Sequence, residues 1–220
     1  ASTLLQPDLT WDAESTKRFL RSIAAEGARL ERLVSDLLDS SAIESGVLRL
    51  QRHWCDLALV VEAARRLVSG GDGIRVRAAG DLEPVWADHD RLEQVFVNLL
   101  ENAVAHGASS HGVDVRLRRG GAGGTVEVEV ADHGPGIPAA VADRIFEPRV
   151  RAPSDVAGAG LGLSIARGIV VAHGGTLVAV PARRGARFVV TLPCEPVDAA
   201  DAPPDAAWNL MDAPKEPDVV

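Results

Sequence analysis

A chain of 220 residues suffices for one domain with an appendage or for two small domains, and 46% hydrophobic with 25% charged residues is a globular composition. The formal net charge of −8 gathers at the end: from Glu195 onward seven acidic residues face one basic residue, Lys215. The body is therefore nearly neutral and carries no basic stripe of the kind that neutralises nucleic acid phosphates. No apolar run approaches the roughly 20 residues that a membrane span requires. Cys55 and Cys194 make no Cys-x-x-Cys pair and read as free thiols in a reducing compartment. The sole methionine is Met211 and the sequence opens on Ala1, so the chain is expected to be a piece of a longer protein.

The opening "QPDLTWDAES" carries a turn signal at Pro7 and Asp8, which makes Ala1 to Gln6 the expected end of an earlier helix. From about Asp12 to Glu44 one long helix is expected. Leu20, Gly27 and Val34 recur every seven residues, as do Ile23, Leu30 and Leu37, with charged residues between them. Such a repeat is the seam for a partner helix. The alternative is a solvent-facing helix lying on its own domain, although ~30 residues is long for that role.

A mixed α/β domain follows. Strand alternation runs through Ile74 and Val76, through Val113, Val115 and Leu117, and through Val126, Val128 and Val130, the last two segments flanking the loop "RRGGAGG". "HDRLEQVFVNLLENAVAH" has helical periodicity, and so has "LGLSIARGIVVAHGG", which ends on glycines as helices often do. "GTLVAVPARRGARFVVTLP" reads as a closing hairpin. This alternation predicts a two-layer α/β (α+β) sandwich, with a mixed sheet covered by helices on one face. The expected divisions are 1–46 for the helical part, 47–193 for the α/β domain and 194–220 for a Pro/Ala-rich acidic tail too poor in apolar residues to order itself.

Three boxes carry chemistry. In "NLLENAVAHG", Asn98 and Asn102 stand four apart and share a helix face. A carboxamide oxygen is a hard ligand suited to Mg2+ held beside substrate phosphates, although paired asparagines are also ordinary exposed polar residues. In "VADHGPGIP", Asp132 ends a strand before Gly134 and Gly136. A carboxylate there can accept from an exocyclic amine such as that of adenine, and the glycines let backbone pass beneath a flat ring. The competing role is a turn in which Asp132 only caps its own loop. In "GAGLGLSIARG", Gly158, Gly160 and Gly162 precede a helix whose first N–H groups and positive dipole end suit phosphate. Between the last two boxes, Phe146 is an apolar anchor for a short loop containing Arg149 and Arg151, placed where a lid would serve.

Taken in this order, the boxes resemble the N, first glycine, F and second glycine boxes of the Bergerat-fold ATPases, which include the histidine kinases and gyrase. The long helix chooses among these relatives. "EGARLERLVSDLLDSSAIESGVLRL" resembles the second helix of the histidine kinase dimerisation domain, while "RHWCDLALVVEAA" and "ARGIVVAHGG" look most like the KdpD-type potassium-responsive sensor kinases. The resemblance runs from Ala1 to Pro193.

It implies ATP and Mg2+ as cofactors, Asn102 on the metal and Asn98 in support. Asp132 would bind the adenine amine over a floor of Gly134 and Gly136, with Ile137 beside them. Phe146 would anchor the lid, and Gly158, Gly160, Leu161, Gly162 and Leu163 would wrap the phosphates. The implied activity is transfer of the γ-phosphoryl group to a histidine and then to a response regulator aspartate, within a homodimer on the cytosolic side of a membrane. The alternatives are a degenerate nucleotide-binding or interaction module without kinase turnover, and a different ATPase of the same fold, such as a serine kinase acting on an anti-sigma antagonist.

Three positions depart from the family pattern. Ala105 stands where a lysine is usual, His106 where an aromatic follows, and Arg149 where a second lid aromatic is common. Arg149 or Arg151 could restore the missing positive charge. None of the six histidines lies in the His-Glu/Asp-Leu-Arg-x-Pro setting of a phosphoacceptor, which is expected on a first dimerisation helix upstream of Ala1.

Overall fold

The computed structural model describes residues 12–107, 112–121, 124–150, 160–180, 182 and 184–195. The expected acidic tail lies outside them from residue 196 onward. The chain divides into two units, Ala1–Leu48 and Arg49–Val220.

The first unit is a single helix, α1 (Ala13–Glu44), of 32 residues. Asp12 caps its start: Oδ1 accepts from the Ser15 N–H at 2.7 Å and Oδ2 from the Ser15 hydroxyl at 2.8 Å. Its end is closed by Gly46 at φ 68°, with the Val47 N–H returning to the Ala42 carbonyl. Leu20, Ile23, Leu30, Val34 and Leu37, the residues of the seven-residue repeat, are all exposed.

The second unit is built on β1 (His53–Cys55), α2 (Leu57–Leu67), β2 (Ile74–Ala78), β3 (Val85–Ala87), α3 (His89–His106), β4 (Val113–Arg119), β5 (Thr125–Ala131), α4 (Ala139–Ala142), α5 (Gly162–Ala172), β6 (Thr176–Val180) and β7 (Arg187–Pro193). Five strands form a mixed sheet in the order β2-β4-β5-β7-β6, with β2 and β4 parallel and the other neighbours antiparallel. β1 and β3 pair separately, antiparallel, with Trp54 opposite Trp86.

The strand alternation sets the layers. Val113, Val115 and Leu117, Val126, Val128 and Val130, and Phe188, Val190 and Leu192 are buried on one face, while the intervening residues are exposed or half-buried. Cross-strand ion pairs occupy that second face, among them Arg75 with Asp114, Arg116 with Glu129 and Arg118 with Glu127. The His133 ring also reaches Asp114, at 3.1 Å. Arg75 first, with His133 adding to it, holds the Asp114 carboxyl down at about 2. Over the apolar face, α3 supplies Leu92, Val95, Phe96, Leu99, Leu100 and Ala103, and α5 supplies Ile165, Ala166, Ile169 and Val170. Among the described residues, no helix is long and apolar enough to cross a membrane.

One buried polar side chain makes stability depend on pH. The His173 ring Nε2 accepts from the Asp88 backbone N–H at 3.0 Å, and Nδ1 lies 2.8 Å from the Ile169 carbonyl, to which it must donate. Both bonds together require the neutral ring with its proton on Nδ1. Burial pushes its pKa below the ordinary value of about 6.5. Above that value neither folded nor unfolded chain is protonated there, and stability is complete. As pH falls below it, the unfolded chain takes up a proton that the folded chain resists. The unfolding free energy then declines, by at most about 1.4 kcal/mol per pH unit, until the folded pKa is passed. Urea midpoints measured between pH 7.5 and 5 should show this decline in the wild type and a flatter profile in His173→Gln. Parallel profiles would remove His173 as the source.

Candidate functional site

The site is assembled at one end of the α3–α5 pair. Asp88 caps α3 by accepting from the Arg91 N–H at 3.1 Å. The residues that α3 buries in the core leave Asn98 and Asn102 half-buried on an adjoining face. Asn98 Nδ2 is buried without a hydrogen-bond partner. An unsatisfied buried donor costs roughly 1–3 kcal/mol, which an anionic oxygen at this place would relieve. The first residue of α5 stands against this amide, since a Cβ added at Gly162 would come within 3.4 Å of Asn98 Oδ1.

Among the described residues no side chain caps the start of α5. Leu161 occupies the N-cap position without a capping bond, and the Ser164 hydroxyl donates to the Leu161 carbonyl at 2.8 Å. The first-turn N–H groups stand at the positive end of the helix dipole, an arrangement that suits phosphate. Gly160, Leu161, Gly162 and Leu163 all lie at this point, whereas Gly158 falls outside the described residues. Gly160 has φ 70°.

Further along α3 lies the second polar centre. Asp132 follows the end of β5 and is buried. Its Oδ1 accepts from the Gly134 N–H at 2.8 Å and from the Ala186 N–H at 3.1 Å, and its own N–H donates to the Ala186 carbonyl at 3.0 Å. Among the described residues Oδ2 makes no hydrogen bond. Loop capping thus occupies one oxygen of the carboxylate and leaves the other open to accept a further hydrogen bond.

The floor beneath is two passes of backbone. The Gly185 N–H donates to the Gly134 carbonyl at 3.0 Å, and a Cβ at Gly136 would come within 2.9 Å of the Gly185 carbonyl oxygen. A Cβ at Gly134 would collide with the His106 carbonyl, and one at Gly185 with the Asp132 carbonyl. Gly136 and Gly185 both have positive φ, 84° and 72°. Ile137 is half-buried next in the chain. Gly185 and Ala186 are contact positions of Asp132 and Gly134 that the sequence pattern did not single out. "RRGAR" looks like any hairpin loop, and only the pairing of Ala131 with Arg187 places it across from Asp132.

The two centres are separated along one rigid helix. A Cβ at Gly107, the end of α3, would lie 3.3 Å from the Asp132 Cβ, so Asp132 stands about 14 Å along the helix from Asn98 at 1.5 Å per residue. That spacing suits an elongated ligand with an amine at one end and anionic oxygens at the other. Beside it, the half-buried Phe146 ring meets Phe188 edge-on, with centroids 6.2 Å apart, and the Arg167 guanidinium lies 5.3 Å over the Phe146 ring. The Arg149 N–H donates to the Gly160 carbonyl at 2.9 Å, so the residues flanking segment 151–159 are joined. Arg151 lies outside the described residues. Ala105 is exposed and His106 half-buried.

Among the described residues no cluster of three or more His, Cys, Asp or Glu could hold a metal by itself. A single carboxamide oxygen, that of Asn102, fits Mg2+ where phosphates and water complete the coordination.

Residues 87–196, half of the chain, match the family of histidine kinase-, DNA gyrase B- and HSP90-like ATPases. The chain belongs to this family. Its likeness to curated proteins is to sensor kinases and extends beyond the ATPase region. It is 36% identical over 200 residues to the alginate biosynthesis sensor protein KinB of Pseudomonas aeruginosa, covering 88% of this chain and 33% of that protein. It is 36% identical over 197 residues to the sensor protein KdpD of Escherichia coli K12, covering 86% of this chain and 22% of that one. The chain thus spans a third or less of the length of these relatives. Among solved structures, full-length ShkA in complex with AMPPNP aligns with a TM-score of 0.69 at 29% identity, covering 84% of this chain and 40% of that one. Residues 87–196, within the unit that begins at Arg49, form a histidine kinase-type ATPase domain.

Proposed function

We propose that the chain is the ATP-binding catalytic region of a sensor histidine kinase that binds Mg-ATP and donates its γ-phosphoryl group to a histidine carried on a dimerisation helix. The observation that carries this reading is the pairing of a free Asp132 carboxylate oxygen over a glycine floor with an unpartnered Asn98 amide facing an uncapped helix start. Asp132 Oδ2 accepts from the adenine amine, and the backbone of Gly134, Gly136 and Gly185 passes under the ring. Asn98 and the first N–H groups of α5 receive phosphate oxygens, and Asn102 holds the metal. Bound Mg2+ supplies charge neutralisation on the phosphates. In the transfer, the imidazole lone pair forms a P–N bond as the γ P–O bond to ADP breaks. The protein's contribution is positioning and electrostatics.

The rest of the reading follows from the relatives' description as sensor proteins and from the exposed α1 stripe. The stripe of Leu20, Ile23, Leu30, Val34 and Leu37 packs in a homodimeric helical bundle. The phosphohistidine passes its group to a response regulator aspartate, and the region works on the cytosolic side of a membrane-anchored kinase.

With γ-labelled ATP and Mg2+, this chain alone should take up no acid-labile, base-stable label. A supplied dimerisation domain bearing the phosphoacceptor histidine should be labelled by it. Nucleotide binding without transfer to that domain would mark a nucleotide-holding module instead. Absence of nucleotide binding would end the reading altogether.

A further inference from the structure

Helices α3 and α5 run antiparallel and meet at two places, one of them tied by a hydrogen bond. At the nucleotide end Gly162 lies against Asn98. At the other end His173, which follows α5, accepts from the N–H of Asp88, the cap of α3. Two further bonds tie the incoming chain to the same place. The Gln51 N–H donates to Asp88 Oδ2 at 2.7 Å, and Arg52 Nη2 donates to the Ala172 carbonyl at 2.8 Å. That carbonyl belongs to the negative end of the α5 dipole, where a guanidinium is favoured. None of these residues lies in a nucleotide box.

We propose that His173 is a positioning residue for nucleotide binding: by holding the start of α3 against the end of α5, it fixes the axial register in which Asn98 and Asn102 face the phosphate-binding start of α5. Helices slide as rigid rods. His173 lies ~17 Å along α5 from Gly162, and Asp88 lies ~15 Å along α3 from Asn98 at 1.5 Å per residue. A shift of an ångström at the His173 end is therefore carried undiminished to the ligand end, and misplacements of that size weaken binding and chemistry steeply. Gly162 brings the start of α5 alongside Asn98, where even an added Cβ would lie 3.4 Å from Asn98 Oδ1, so the register of the two helices sets how this amide and the helix start face a shared ligand. Gln51 and Arg52 bring the chain's entry into the α/β unit under the same control.

The inference rests on the nucleotide reading above, and the test separates the two. AMPPNP with Mg2+ is titrated calorimetrically into wild type, His173→Leu and His173→Gln at a temperature where circular dichroism shows each fully folded. Gln places an oxygen where Nε2 stands and can still accept from the Asp88 N–H, whereas Leu cannot. His173→Leu should bind about tenfold more weakly, and His173→Gln should recover most of that loss. A merely structural histidine would lower the melting temperature in both and leave the affinity of the folded protein unchanged, which would overturn the proposal. Should His173→Leu fail to fold, Arg52→Met decides. It removes the guanidinium from the Ala172 carbonyl at a half-buried position and should weaken AMPPNP severalfold, and an unchanged affinity overturns the proposal equally. Failure of the wild type to bind AMPPNP would instead bring down the nucleotide reading and this inference with it.

Discussion

Asp132→Asn should weaken ATP binding by roughly tenfold to a hundredfold while leaving the domain folded. The two oxygens of Asp132 have separate tasks. Oδ1 is engaged by the N–H groups of Gly134 and Ala186, at 2.8 and 3.1 Å, and Asn retains a carbonyl oxygen for both. The substitution therefore leaves the strand-end turn its acceptor, and the melting temperature should change little. Oδ2 becomes an amide NH2, which presents a donor to the donor of adenine's amine. Loss of a hydrogen bond to a charged group costs about 1.5–3 kcal/mol, and the mispaired donors add to it. Calorimetric titration with ATP and Mg2+ measures the difference directly. Equal affinities for the two proteins would reduce Asp132 to a turn residue.

Where one element's residues sufficed to specify it, the fold and the placing of the candidate site residues were legible in the sequence. The apolar positions of α3 from Leu92 to Ala103 recur at helical spacing, and Asn98 and Asn102 take their shared face from that helix alone. β4 and β5 show their alternation residue by residue, and α5 is bracketed by glycines that mark its start and its end. What depended on distant pairing was not legible. β1 and β3 are three residues each, and neither is a strand except by facing the other across some 30 residues of chain. α2 carried a signal in its Asp56 cap, but an apolar run as short as Leu57 to Val61 is ambiguous between strand and helix. His173 read as the tail of a helix ending on two glycines. Its second hydrogen bond, to Asp88, is made 85 positions away. The candidate nucleotide boxes could be read because each is local, whereas contacts such as that of His173 with Asp88 join distant parts of the chain.

Gly185→Ala should destabilise the protein by roughly 2–5 kcal/mol and disrupt the proposed nucleotide floor, a large effect for a single methyl group. Two independent costs meet at this position. Its φ of 72° lies in the left-handed region, where an L side chain costs roughly 1–2 kcal/mol. The added Cβ also collides with the carbonyl oxygen and carbon of Asp132, which are backbone and cannot rotate away as a side-chain tip could. Overpacking of this kind adds about 1–3 kcal/mol, so the sum is a large share of the roughly 5–15 kcal/mol that holds a domain together. Relief requires the 185–186 segment to lift from β5. Lifting breaks the Gly185 N–H bond to Gly134 and takes the Ala186 N–H off Asp132 Oδ1. Any protein that remains folded should therefore also bind ATP poorly, because the carboxylate loses its fixed orientation. Gly80→Ala is the control: a Cβ there meets nothing within 4 Å and the backbone is outside the left-handed region. Its urea midpoint and ATP affinity should match the wild type. If Gly185→Ala matched them too, the backbone of the closing hairpin would not pass beneath Asp132, and the floor of the site would have to be built from other residues.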